Sequence, residues 1–368
     1  MYQPGKASST DKTIEIGQKQ QIRLYKPAGL DYDEAEKGGE AMKKRLAALV
    51  LLACLLAGCV PASAQIYRIV DYSLFDTVTT IMTTEGKQSD FEKQAREILE
   101  DLGQYHRLFD IYQEYAGLVN LKTVNDRAGR EPVAVEPRLM EFLVFCRQAY
   151  DLTEGRVNPA MGTVLQLWHR AREETKQPPD PEALNQAARH CTMEDVVLDP
   201  EAGTVFFQDP ALQLDVGALA KGWAAERVAE KAPAGWLISV GGNVRATGPK
   251  LGEKPWIVGI QDPDDPGSYL QSFPLRRGSA VTSGDYQRYF TADGKRYHHL
   301  IDPDTCMPGE LWRSVTVVTE DSGLADCLST ALFLLPYEEG LALLTKTGAE
   351  ALWVDPQGKI LKSPGFPQ

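Results

Sequence analysis

The sequence predicts an α+β protein, one mixed α/β domain that follows an N-terminal leader. Three observations point there. Short β-branched runs alternate irregularly with stretches of helical periodicity, so neither a strict βαβ series nor an all-β array fits. No tandem repeat or low-complexity linker occurs after residue 65. The chain has 368 residues, 43% of them apolar, enough for a substantial core and too many for a disordered chain.

In order along the chain, residues 66–72 and 77–82 read as strands joined by a turn that contains Phe75-Asp76. Ser89-Asp90-Phe91-Glu92 has the form of a capping box, and Phe91, Ala95, Ile98, Leu102, Tyr105 and Phe109 then recur at helical spacing. A second helix is expected over 137–151, with Leu139, Phe142, Leu143, Cys146 and Tyr150 on one face. Residues 175–181 are rich in proline and charge and read as an exposed loop leading into a further helical segment. Strands are then expected at 196–198, 205–207, 213–216, 236–240 and 256–260, interrupted by one alanine-rich helix. Later strands fall at 278–282, 287–290, 297–301, 314–318 and 351–354, and a helix capped near Asp321 lies between the last two.

The leader is legible in its own right. Met42-Lys43-Lys44-Arg45 precedes an apolar run ending in Leu56-Ala57-Gly58-Cys59, the basic n-region and apolar h-region of a secretory signal. The ending resembles the lipobox of bacterial lipoproteins, in which the cysteine is lipidated and becomes the first mature residue. The organisation expected is a leader over 1–41 that has no need to fold, with translation starting at Met42, a lipoprotein signal peptide over 42–58 and the functional domain over 59–368. The protein is then exported and held on the outer side of the cytoplasmic membrane by a lipid on Cys59. The apolar run is shorter than the roughly 20 residues that cross a bilayer, which excludes a polytopic membrane protein.

Net charge is −12, and residues 59–368 carry 44 acidic against 30 basic side chains. With no basic block in that part, nucleic acid is not an expected partner. Cys146, Cys191, Cys306 and Cys327 form no CxxC or Cys/His cluster, so neither zinc nor a redox dithiol is indicated, and small buried hydrophobes is the commoner role for such cysteines. The phosphate loop, the dinucleotide GxGxxG, HExxH and GxSxG are all missing from the sequence.

Polar clusters in apolar surroundings carry the chemistry. Leu214-Asp215-Val216-Gly217-Ala218-Leu219-Ala220-Lys221-Gly222 offers an acid and a lysine at a strand-to-helix turn, whose free N–H groups and cation suit a phosphate. An ordinary connection with surface charges is the plainer reading of it. Ser239-Val240-Gly241-Gly242-Asn243 permits close backbone approach to a ligand, or is simply a turn. Thr282-Ser283-Gly284-Asp285-Tyr286 precedes His298-His299, adjacent on an expected strand and so on opposite faces of it. Asp326 and Thr330 are i and i+4 on one helical face, a carboxylate and a hydroxyl of the kind Mg²⁺ takes.

In this order the motifs resemble the FAD:protein FMN transferase family, the ApbE family, over nearly the whole mature chain, about residues 75–354. The resemblance rests on Asp215 to Gly222, Gly241-Gly242-Asn243, Thr282 to Tyr286, His299-Leu300-Ile301-Asp302-Pro303 and Ala325-Asp326 with Thr330-Ala331. It implies an enzyme that binds FAD with Mg²⁺, cuts the pyrophosphate, transfers FMN through its phosphate to a threonine hydroxyl of an exported acceptor protein, and releases AMP. It assigns the metal to Asp326, Thr330 and the carbonyl of Ala218, FAD contacts to Phe75, Tyr112, Arg156, Val157, Asn158, Asp215, Lys221, Ser283 and His299, and the role of general base to His299 as well. Phe75 stands where methionine is usual, Asn158 where the pattern has aspartate, and Cys306 where it has glycine. An FAD pyrophosphatase of the same site, or a flavin-binding lipoprotein without catalysis, are the alternative readings.

Overall fold

A computed structural model describes residues 65–265 and 267–368. The leader, the signal and Cys59 lie outside the described residues. The frame is an eight-stranded sheet, all its pairings antiparallel, in the order β1-β2-β6-β7-β10-β13-β14-β15. Its strands are β1 Tyr67–Asp71, β2 Thr79–Thr83, β6 Trp236–Val240, β7 Asn243–Ala246, β10 Gly278–Gly284, β13 Ser314–Thr319, β14 Glu350–Val354 and β15 Ile360–Lys362.

Central strands are covered on both faces, which is why they read as apolar runs and not as alternating patterns. Successive residues divide between two cores. Ile238, Val281, Val315, Val317, Ala351 and Trp353 face the helices, while Leu237, Ala280, Leu352 and Val354 pack with Trp256, Ile260 and Phe273. The last three belong to the hairpin β8 Trp256–Gln261 and β9 Tyr269–Leu275, which closes the second face.

Most helices lie on the first face. The helix α1, Gln88–Phe109, buries the apolar stripe expected of it, and α3, Pro137–Leu152, starts with proline at its first turn. The helices α6, Ala220–Ala229, and α7, Ser322–Leu334, pack against each other and against the middle of the sheet. Leu324 N–H is capped by Asp321 at 2.7 Å. Helix α7 is apolar on almost every side, as a central helix must be, so its polar Asp326, Ser329 and Thr330 need partners inside the protein.

The two helices approach closely at Gly222, where an added Cβ would lie 2.3 Å from the Ser322 carbonyl oxygen and 2.4 Å from Asp326 Cβ. Gly222→Ala therefore forces backbone apart, and a loss of about 3 kcal/mol is expected. Chemical unfolding measures it, and an unchanged midpoint would contradict the contact. Above this point a buried ion pair joins Glu226 to Arg245 through two bonds of 2.8 and 2.9 Å, and Glu226 also accepts Ser322 N–H at 2.7 Å.

Several expectations need correction. Ser89 does not cap α1, since the helix starts at Gln88 after an extended Lys87 that makes no side-chain cap, and Ser89 Oγ lies near Asp90 instead. Residues 213–216 form no strand. Gln213 makes a single parallel bridge to Met161, and Asn125 takes up the Leu214 backbone on both sides through its carboxamide. The strand expected at 287–290 is Tyr289–Ala292, and that expected at 297–301 is Lys295–His298, so His299 lies past its end. These two strands form the hairpin β11–β12, which packs with helix α4, Gly162–Arg170, in a third small core. Helix α4 runs into a π-helical turn, Ala171–Thr175, closed by Lys176 in the left-handed region, and the exposed loop starts there.

Candidate functional site

A cavity of about 530 Å³ opens at one end of the sheet. It brings together Phe75, Tyr112, Arg156, Val157, Asn158, Asp215, Ala218, Lys221, Ser283, His299, Asp326 and Thr330, the complete set singled out in the sequence. Gly241 and Asn243, from the two-glycine turn between β6 and β7, line it too. Gly241 has φ +60°, and a Cβ there would meet Thr77 Oγ1 at 2.7 Å, so only glycine lets this turn close beside the cavity wall.

An oxygen-rich corner of the cavity is built from α6 and α7. Asp326 is 4% exposed, and its Oδ2 accepts the Gly222 N–H at 2.8 Å with Lys221 Nζ at 3.6 Å. Burial pushes the Asp326 carboxyl above the usual carboxylate range, while Lys221 and the Gly222 N–H pull it back. The Asn243 amide acts in the same lowering direction. Its Nδ2 has no partner at hydrogen-bond distance, so it acts as a nearby dipole and not as a formed bond. In a regular helix the Gly222 N–H would bond to the carbonyl of Ala218, four residues back. Because it turns to Asp326, no hydrogen bond among the described residues uses that carbonyl.

Thr330 stands one turn beyond Asp326, its Oγ1 3.5 Å from Ser283 Oγ. A buried carboxylate in need of countercharge, a hydroxyl and an unused carbonyl fit Mg²⁺, which takes few protein oxygens and completes its shell with water and phosphate. Among the described residues there is no cluster of three or more His, Cys, Asp or Glu, so a zinc-type centre is not built.

His298 and His299 face different surroundings. His298 Nε2 pairs with the Gly309 carbonyl at 2.7 Å and Nδ1 accepts Leu300 N–H, so it is a satisfied core histidine. The Nδ1 of His299 is buried without a partner, which leaves Nε2 as the nitrogen open to the cavity. Burial, then the nearby Arg288, His298, Lys221 and Arg172, lowers its pKa to about 3. At neutral pH the ring is uncharged and able to accept a proton.

The remaining side chains shape the other end. Phe75 and Asp76 both have positive φ, +54° and +50°, and the Phe75 N–H is held by His106 Nδ1 at 3.1 Å. Tyr112 is 55% exposed, with its ring centroid 5.4 Å from that of His169, and the cavity wall around its hydroxyl, with Asp215 nearby, acts to raise its pKa. Burial raises Asp215 as well, although it accepts Gly217 N–H at 2.9 Å. Val157 is a core residue at 3% exposure, and Arg156 is tied to Asp302 and Asp304 at 3.5 and 2.7 Å.

The Asn158 carboxamide makes two bonds of opposite polarity, Oδ1 accepting Ala160 N–H at 2.9 Å and Nδ2 donating to the Cys191 carbonyl at 2.8 Å. A carboxylate could not make the second, which accounts for the amide. Cys306 takes φ +55°, and its carbonyl receives Trp168 Nε1 at 2.8 Å. Cys146, Cys191, Cys306 and Cys327 are all free thiols, and all but the half-buried Cys191 are buried.

One wall was not legible. Trp168, Phe290 and Tyr297 stack at 5.3 to 6.4 Å between centroids and line the cavity with His169, Arg172 and Arg288. They come from helix α4, the π-helical turn, the hairpin β11–β12 and the segment just before it. The only available signal was the clustering of aromatic and basic residues over 286–297.

Among the described residues, an antiparallel α+β domain with a cavity that combines a buried carboxylate, a lysine, an aromatic wall and a neutral imidazole suits an enzyme that works on a phosphate group. The comparisons name the group. The ApbE family signature matches residues 75–353. An FAD:protein FMN transferase from Treponema pallidum is 35% identical over 266 residues, 67% of this chain and 73% of that protein. One from Klebsiella pneumoniae is 34% identical over 276 residues, 70% and 84% of the two chains. Among solved structures, the ApbE protein of Thermotoga maritima superposes with a TM-score of 0.76 at 30% identity, covering 82% of this chain and 98% of that one. The flavin transferase ApbE of Vibrio cholerae gives 0.71 at 25% identity, covering 82% and 98%. The chain belongs to the ApbE family.

Proposed function

We propose that this chain transfers FMN from FAD to a threonine hydroxyl of an acceptor protein, with Mg²⁺ held by Asp326, Thr330 and the Ala218 carbonyl. It is an enzyme with FAD as substrate and a protein as acceptor, as membership of the family entails. The observation that carries the finer reading is one cavity with two opposed chemistries: an oxygen-donor corner with Lys221 for the phosphates, and an uncharged imidazole for a proton.

Lys221 neutralises phosphate charge, and the stacked rings of Trp168, Tyr297 and Phe290, largely buried against one another, give that end of the cavity a rigid apolar wall. Mg²⁺, when bound, acts as a Lewis acid on the pyrophosphate oxygens. His299 Nε2 takes the proton of the threonine hydroxyl as its oxygen attacks the FMN phosphorus. The new P–O bond forms as the bond to the AMP oxygen breaks, and AMP leaves with that electron pair.

Incubating the protein with FAD, Mg²⁺ and an exported redox subunit, then weighing the acceptor and separating the nucleotides, tests this. Expected are FMN on an acceptor threonine and one AMP per transfer. Free FMN with an unmodified acceptor would identify a pyrophosphatase, and bound but intact FAD a binding protein. The leader supports export as a lipoprotein. Cys59→Ser is expected to move the protein from the membrane to the soluble fraction, and a wild-type protein already soluble would refute the anchor.

A further inference from the structure

Thr330 ends a chain of three hydroxyls whose direction is fixed at the far end. Ser329 Oγ lies 2.9 Å from the Asp326 main-chain carbonyl, which can only accept, and 2.8 Å from Ser283 Oγ. Ser283 Oγ is in turn 3.5 Å from Thr330 Oγ1. Each hydroxyl has one proton to give. If Ser329 donates to the carbonyl, it must accept from Ser283, and Ser283 must accept from Thr330. That direction makes three hydrogen bonds. The reverse makes two and leaves the carbonyl contact without a proton. Ser329 has no exposure and Ser283 is half-buried at the cavity wall, so an unmade bond counts most at Ser329, where water cannot replace it.

We propose that Ser329 and Ser283 are positioning residues for the cation corner: their relay holds the Thr330 proton on the protein side, so that the Thr330 oxygen presents lone pairs to the cavity beside Asp326. The relay also ties Asp326 and Thr330 together, since it starts at the main chain of one and ends at the side chain of the other. Ser283 thereby gains a role other than flavin contact. The inference rests on the reading of Asp326 and Thr330 as a Mg²⁺ site.

Direct metal binding tests it, by titrating the full protein with Mn²⁺ as a paramagnetic stand-in for Mg²⁺, with and without FAD. Ser329→Ala is expected to weaken Mn²⁺ binding roughly tenfold, the low end for loss of a group that supports a metal ligand. Ser283→Ala should match it, and Ser283→Thr, which keeps the hydroxyl, should restore binding. In a Thr330→Ala background Ser329→Ala should have no further effect, because the hydroxyl it orients is gone. An unchanged affinity in Ser329→Ala, or a full tenfold loss that persists without Thr330, would overturn the relay while leaving the metal site standing. Wild-type protein that binds no Mn²⁺ with FAD present would overturn the site itself, and the relay with it.

Discussion

Replacing His299 with alanine is expected to slow FMN transfer by roughly 10²–10⁴-fold and to leave FAD affinity nearly unchanged, because a general base acts on the transition state and little on the ground state. Fluorescence titration of FAD beside a transfer assay separates the two effects. The pH profile adds a sharper test. With its pKa lowered to about 3 in the free enzyme, His299 stays unprotonated well below pH 6.5, so the acid limb of kcat/KM attributable to it lies far under that of an ordinary histidine. Bound phosphates place negative charge near the ring and favour its protonated form, so the corresponding limb in kcat moves to higher pH. The same shift has a consequence for stability. The unfolded chain takes up this proton near pH 6.5 and the folded one only near 3, so the contribution is complete above pH 6.5 and is lost as pH falls toward 3. Transfer at the wild-type rate by His299→Ala would assign the base elsewhere.

The second large effect is expected at Asp326. Loss of the carboxylate should remove Mg²⁺-dependent turnover, a fall of roughly 10²–10³-fold for the several kcal/mol a metal supplies. Alanine is the cruder substitution, because it also strands the Gly222 N–H that Asp326 accepts. Asp326→Asn keeps an acceptor at that place while removing the charge. Since burial already disfavours the ionised form, the ligand-free asparagine variant is expected to melt close to wild type. Mg²⁺ with FAD is expected to raise the melting temperature of the wild type, and this variant should lose that rise. An unaltered metal dependence of turnover would refute the assigned site.

Much of this was legible because the signals are local. The i, i+4 pair of Asp326 and Thr330 and the apolar stripe of α1 both follow from the spacing of side chains along one element. The capping box at Ser89 failed because the same four residues also suit the interior of a first turn, and the chain before it settled the start at Gln88. Residues 213–216 alternate apolar and polar like a strand, yet the Leu214 backbone is satisfied by a side chain, Asn125, from 89 positions earlier, and the Gln213 carbonyl and Asp215 N–H bond to Gly162 and Pro159. No local pattern records such a partner.

By itself, then, the sequence determined which groups the chemistry uses and which elements carry them, since residue type and periodicity are properties of the chain. Tertiary structure alone decided their states and their company. Whether His298 or His299 is open, which proton points where among Ser329, Ser283 and Thr330, and that Gly222 gives its N–H to Asp326 and so frees the Ala218 carbonyl, depend on contacts between residues 11, 47 and 104 positions apart, each on a different element or turn. Hydrogen bonds and burial act over a few ångströms of space and are indifferent to separation along the chain, so these features exist only once α6, α7 and the sheet have met.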